Sequence, residues 1–168
     1  MALACRQSPP PDRAATDSSA ATASELSEAD IQGAEYRVTF VDVVTERVRF
    51  TDRVYVDSTS RTTIRMVQTL GGDLDGDGNG DGVAILAANY GGTGTFVSAV
   101  PVLNRGGRAV PGKQAPLGDR VVLRALSLNA DTLSIEMLAH SPADPMCCPS
   151  DTVTQRFHLL GDSLALLP

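Results

Sequence analysis

From residue 36 onward, apolar and polar side chains alternate with a period of two. That is the spacing of a strand with one face in a core and one in water. Within 63–70, Ile64, Met66 and Leu70 fall on one face, and within 132–137 so do Leu133, Ile135 and Met137. The same pattern predicts strands over 36–44, 48–56, 95–103, 121–128 and 153–160. Residues 83–88 are apolar at every position, as expected of a central strand covered on both sides. A helix around 87–89 is the alternative there. Turn-forming residues separate the runs. Asn129-Ala130-Asp131 and Gly161-Asp162 predict hairpins, while Gly91-Gly92-Thr93-Gly94 and Gly106-Gly107 predict loops. No helical period persists for three turns past residue 35. The expected fold is a single all-β domain over 34–168, mostly antiparallel, or an α+β variant with one short helix.

Residues 1–33 read differently. Gln7-Ser8-Pro9-Pro10-Pro11-Asp12 leads into Ala, Thr, Ser and Asp with almost no large apolar residue. Such a stretch buries too little surface to offset chain entropy, so it is expected to be a disordered tail and flexible linker. A short helical turn over 24–31 is expected inside it, with Thr22-x-x-Glu25 as its capping box.

Composition narrows the function classes. A length of 168 residues suits one domain plus a tail, and 42% hydrophobic with 20% charged residues suits a folded chain. No apolar run reaches the ~20 residues of a membrane-spanning helix. The formal charge of −6, with no basic cluster, argues against nucleic acid as a partner. Aromatic residues are 4% and tryptophan is absent, which disfavours stacking platforms for bases or sugars. Of 14 basic residues only Lys113 is a lysine, a bias that reads as genome composition.

The strongest chemical signal is the run from Gly72 to Val83. Asp73, Asp75, Asp77 and Asp81 occupy positions 1, 3, 5 and 9 of a loop, the spacing that wraps oxygens around Ca²⁺. Position 7, Asn79, would add its main-chain carbonyl. Gly78 at position 6 permits the sharp turn that brings the ligands inward. EF-hands share this series, but here position 12 is Ala84 in place of the bidentate Glu, and 73–84 runs into an apolar strand rather than a helix. Affinity is therefore expected in the extracellular range, ~10⁻⁴–10⁻³ M. Four alternating glycines (Gly76, Gly78, Gly80, Gly82) are expected to leave the empty loop loose, so that the ion orders it. The bland alternative is a solvated Gly/Asp turn, which must hold like charges close together.

A D-x-D-G-D-G-x-x-D loop entering an apolar strand resembles the calcium loop of FG-GAP and VCBS-type repeats. That resemblance implies Asp73, Asp75, Asp77 and Asp81 as side-chain ligands and Asn79 as a main-chain ligand. It covers about a dozen residues and occurs once, so it implies the loop and not a propeller, which needs at least about four blades. A wider set resembles bacterial secreted proteins and lipoproteins of unknown function. It comprises Gly91-Gly92-Thr93-Gly94-Thr95-Phe96, Leu117-Gly118-Asp119-Arg120-Val121 and the stretch from Met137 to Pro149. This implies an extracytoplasmic location and no particular activity.

The three cysteines divide into one and two. Met1-Ala2-Leu3-Ala4-Cys5 resembles the end of a bacterial lipoprotein signal peptide, with small residues before a Cys and a polar Pro/Ser linker after it. Ala2 stands where Leu is usual, and neither a basic n-region nor a full apolar h-region precedes Cys5. The expectation is a lipid on Cys5 and a precursor that extends upstream. Cys147 and Cys148 are adjacent, between Pro145 and Pro149. Three readings stand: a vicinal disulfide, free thiols, or a soft-metal or redox site with Met146 or His140. Zinc-type Cys-x-x-Cys spacing is absent.

His140 and His158 are the only histidines, and no G-x-S-x-G elbow or local Ser-His-Asp signature accompanies them. Leu117-Gly118-Asp119-Arg120 is expected to turn into a strand with a local Asp–Arg interaction. The leading expectation is a non-enzymatic Ca²⁺-binding β domain of the bacterial envelope, tethered by lipid, with an envelope protein or surface component as its partner. An envelope thiol or soft-metal-handling protein centred on Cys147–Cys148 comes second, and a hydrolase built on the aspartates third.

Overall fold

The computed structural model of the chain describes residues 24–40 and 43–168. Among the described residues twelve strands and one short helix are formed, in the order α1 (Glu28–Gly33), β1 (Tyr36–Phe40), β2 (Val43–Val48), β3 (Val54–Asp57), β4 (Thr62–Gly72), β5 (Asp81–Asn89), β6 (Phe96–Asn104), β7 (Ala109–Pro111), β8 (Ala115–Asp119), β9 (Val122–Asn129), β10 (Thr132–Ala139), β11 (Asp151–Leu160) and β12 (Ser163–Leu166). The fold is mostly antiparallel β, as the alternation predicts.

Strands β5 and β6 organise the structure because their sequences are apolar on both sides. The larger sheet runs β3-β4-β5-β6-β7, with β8 also paired to β6. On one face, Ala84, Leu86, Ala88, Val100 and Val102 pack with Ile31, Tyr36, Val38 and Val48 of α1 and the β1–β2 hairpin. On the other, Val83, Ile85, Val97 and Ala99 pack with Leu133, Ile135, Met137 and Phe157 of a four-stranded sheet ordered β12-β11-β10-β9. Three layers therefore enclose two apolar cores, and a strand between them has no polar face to show. The helix considered around 87–89 is strand instead, with Ala87 and Ala88 paired to Val97 and Phe96.

Other departures have local causes. The strand expected over 36–44 is the hairpin β1–β2. That expected over 48–56 is broken by Asp52 and Arg53, whose φ values of 48° and 65° turn the chain into β3. Ile64, Met66 and Leu70 do not share a face. The β4–β5 register shifts between Met66 and Gln68, so Ile64 and Met66 enter the first core while Leu70 packs on the second. Residues 24–33, grouped with the linker on composition, are packed: Leu26 and Ile31 are buried. The helix is capped by Ser27 and Asp30 in a reciprocal capping box rather than by Thr22 and Glu25. Thr22 lies outside the described residues. The Asn129-Ala130-Asp131 and Gly161-Asp162 signals do form the β9–β10 and β11–β12 hairpins.

Candidate metal centre

The acidic loop joins β4, the longest strand, to β5, one of the two central buried strands. Gly76 and Gly78 take φ of 74° and 84°, where a side chain would be strained, and these two bends curl the loop back on itself. Asp73 accepts hydrogen bonds from the Gly76 amide at 2.7 Å and the Gly78 amide at 3.0 Å. Asp75 accepts from the Asp77 amide at 3.2 Å. These bonds fix the loop through its own carboxylates.

Asp81, the first residue of β5, is the buried member at 1% exposure. One of its oxygens accepts from the Leu74 amide at 3.0 Å and the other from the Asn104 amide at 2.7 Å. Burial pushes its carboxyl above the ordinary value. Those two amides oppose the rise, and the negative charges of Asp75 and Asp77 add to it. Oxygens of Asp73, Asp75 and Asp81 lie within 4.8 Å of one another. A cation with oxygen ligands at 2.3–2.6 Å holds opposed ligands up to about 4.6–5.2 Å apart, so the three fit one Ca²⁺. The all-oxygen donor set is that of a hard cation.

Asp77 and Asn79 bond to each other. Asp77 lies outside the convergent trio and turns toward Asn79, accepting from its main-chain N–H at 2.8 Å and its side-chain amide at 3.0 Å. Those bonds hold its carboxyl below the ordinary value. The Asn79 side chain in turn accepts from the Ser24 amide. The loop is also bonded to the chain before α1. Gly80 exchanges main-chain bonds with the segment before α1, accepting from the Leu26 amide at 3.0 Å and donating to the Ser24 carbonyl at 2.8 Å. The segment read as linker is stitched to the loop.

Two residues here had no signal in the sequence. Asn104 ends β6 at 2% exposure, and its amide group donates to the carbonyls of Ser24 and Gly80. Arg105, next along, sets a guanidinium nitrogen 3.0 Å from Asp75. The Arg105 cation thus competes with any metal ion for the Asp75 carboxylate. Both come from the end of β6, the strand paired to β5, and only the Gly106-Gly107 turn was visible. Asp75 and Arg105 also line a cavity of about 330 Å³ that reaches Asp131 and His158.

The cysteine pair lies elsewhere, in the exposed loop between β10 and β11. Cys147 and Cys148 are joined by a disulfide. Asp144 gathers the loop, accepting from the Ser141 and Ser150 amides at 2.9 Å each and from the Ser150 hydroxyl at 2.7 Å. Those bonds hold its carboxyl far below the ordinary range. Arg120 donates to the Met146 carbonyl at 2.9 Å and pairs with Asp119, the local interaction expected there. His140 sits just past β10 and His158 within β11. Cys5 lies outside the described residues. No family model, curated protein or solved structure matches the chain.

Proposed function

We propose that this chain is a non-enzymatic, calcium-binding β domain of the bacterial cell envelope, held at a membrane through lipid on Cys5, with a binding or structural role toward an envelope protein or surface component. The observation that carries the reading is the convergence of Asp73, Asp75 and Asp81 oxygens within 4.8 Å across a tied loop. Asp73 would supply an oxygen from a half-buried residue, Asp75 one from an exposed residue, Asp81 a buried one, and water the remainder of the 6–8 that calcium takes. Bound calcium would neutralise the like charges and lock the β4–β5 connection to Asn104. Position 12 is a buried alanine, so affinity stays in the millimolar to submillimolar range.

Thermal melts with millimolar Ca²⁺ and with chelator test it. At ten times the Kd, binding to the folded form stabilises it by about 1.4 kcal/mol. Asp73→Ala and Asp75→Ala should erase that gain, and Asp77→Ala should keep most of it. Identical melts and no heat on titration would leave a solvated turn. Intact mass from the native host tests the anchor, which an unmodified Cys5 would remove. The exposed Cys147–Cys148 loop with Met146 beside it supports a second reading, thiol or soft-metal handling by the pair once its disulfide is reduced. That reading requires Cys148→Ser to have a phenotype.

A further inference from the structure

A groove of about 670 Å³ lies between α1, the β1–β2 hairpin and the β6–β7 turn, and it is lined by Arg37, Arg49 and Arg108. Three guanidiniums in one groove are unusual in a chain of net charge −6. Its two carboxylates, Asp30 and Glu35, offset two of the three and leave one positive charge over. Glu35 already holds Arg49 at 3.0 Å and Arg47 at 3.7 Å. Asp30 is committed to the Ser27 cap, accepting from both its amide and its hydroxyl. Arg37 and Arg108 make no ion pair or side-chain hydrogen bond among the described residues. The groove therefore keeps a surplus of positive charge.

Both free arginines are mounted on fixed backbone. Arg37 stands on β1 opposite the β1–β2 register shift, on the face away from the buried Tyr36 and Val38. Arg108 closes the tight turn that begins at Arg105, whose amide donates to the Arg108 carbonyl at 2.9 Å. Gly106 and Gly107 supply the positive φ values, 66° and 82°, that this turn needs. The remaining lining is small, with Gly33, Ala34 and Ala109 among it. A ligand can thus approach the main chain between the guanidiniums. Arginine's planar fork matches a carboxylate or a phosphoryl group through paired N–H···O bonds. No aromatic ring lines the groove to stack a base or sugar, and the acidic remainder of the chain repels a long polyanion.

We infer that this groove binds a small oxyanion-bearing ligand, a carboxylate or a phosphate, through Arg37 and Arg108. The inference does not depend on calcium. It is tested by titrating the folded protein with sodium phosphate and, separately, sodium succinate at constant ionic strength, read by amide NMR and calorimetry. Saturable binding of at least one anion is expected, with shifts centred on Gly33, Gly107 and Ala109. Which of the two saturates names the ligand class. Arg37→Gln and Arg108→Gln should each weaken it about tenfold or more, the worth of one charge-assisted pair. Arg124→Gln, on β9 outside the groove, should leave it unchanged, as should Asp73→Ala. Arg37→Lys keeps the charge and guards against misfolding of the Gln variant; it should bind more weakly than the parent, for want of the fork. No saturation by either anion, or equal weakening by Arg124→Gln, would overturn the proposal.

Discussion

Asp81 separates architecture from metal binding, because its two oxygens are already used by the protein. Replacing it with alanine strands the Leu74 and Asn104 amides in a buried site. Each unmet buried N–H costs about 1–3 kcal/mol, or about 2–6 kcal/mol for the pair. Part of this is offset, since the parent buries a carboxylate whose charged form is disfavoured there. The expected net loss is about 2–4 kcal/mol in chelator, where no calcium contributes. For a chain of this size that lowers Tm by roughly 5–15 °C. Asp81→Asn keeps one acceptor and turns an N–H₂ toward the other amide, so its loss should fall between parent and alanine. Urea denaturation in chelator gives the free energies, and hydrogen exchange at Leu74 and Asn104 gives the site. If Asp81→Ala matches the parent within about 0.5 kcal/mol in chelator, the residue is not a structural strut and the reasoning fails.

Arg105→Met should strengthen calcium binding, because the guanidinium competes for the Asp75 carboxylate. An exposed pair of this kind is worth about 0.2–1 kcal/mol, so Kd should drop by about 1.4–5-fold in calorimetry. Gly82→Ala should cost about 1–3 kcal/mol in denaturant melts, since the added carbon would lie 2.4 Å from the end of Ile31 in the core. Asp144 titrates in the acid direction. Its folded-state carboxyl lies below the unfolded value, so its contribution is full above the ordinary carboxylate range and is lost as pH falls toward the depressed one. Amide protection at Ser141 and Ser150 should decline over that window, and Asp144→Asn should remove the dependence.

The residues by themselves determined the strands and the acidic loop, for a local reason. Alternation in 132–137 and the unbroken apolar run of 83–88 reflect which faces are covered, and burial writes that directly into side-chain type. The spacing of Asp73, Asp75 and Asp81 was equally plain, because ligands from one loop must be neighbours in sequence. What sequence could not place were pairings set by other segments. One extra residue at the β4 bulge sends Leu70 to the opposite core from Met66, and no side chain announces it. The strand β12 and the short β7 and β8 gain their partners only when the sheets assemble. Composition placed residues 24–33 in the linker, yet Leu26 and Ile31 are enough to dock that segment once the β5 face exists. The loop's electrostatics were decided the same way. Asn104 and Arg105 lie more than twenty residues beyond Asp81, and antiparallel pairing of β5 with β6 carries them to it. Local chemistry is legible in a chain because neighbours share it. The groove between Arg37 and Arg108 is not, because its charge arises only where distant strands meet.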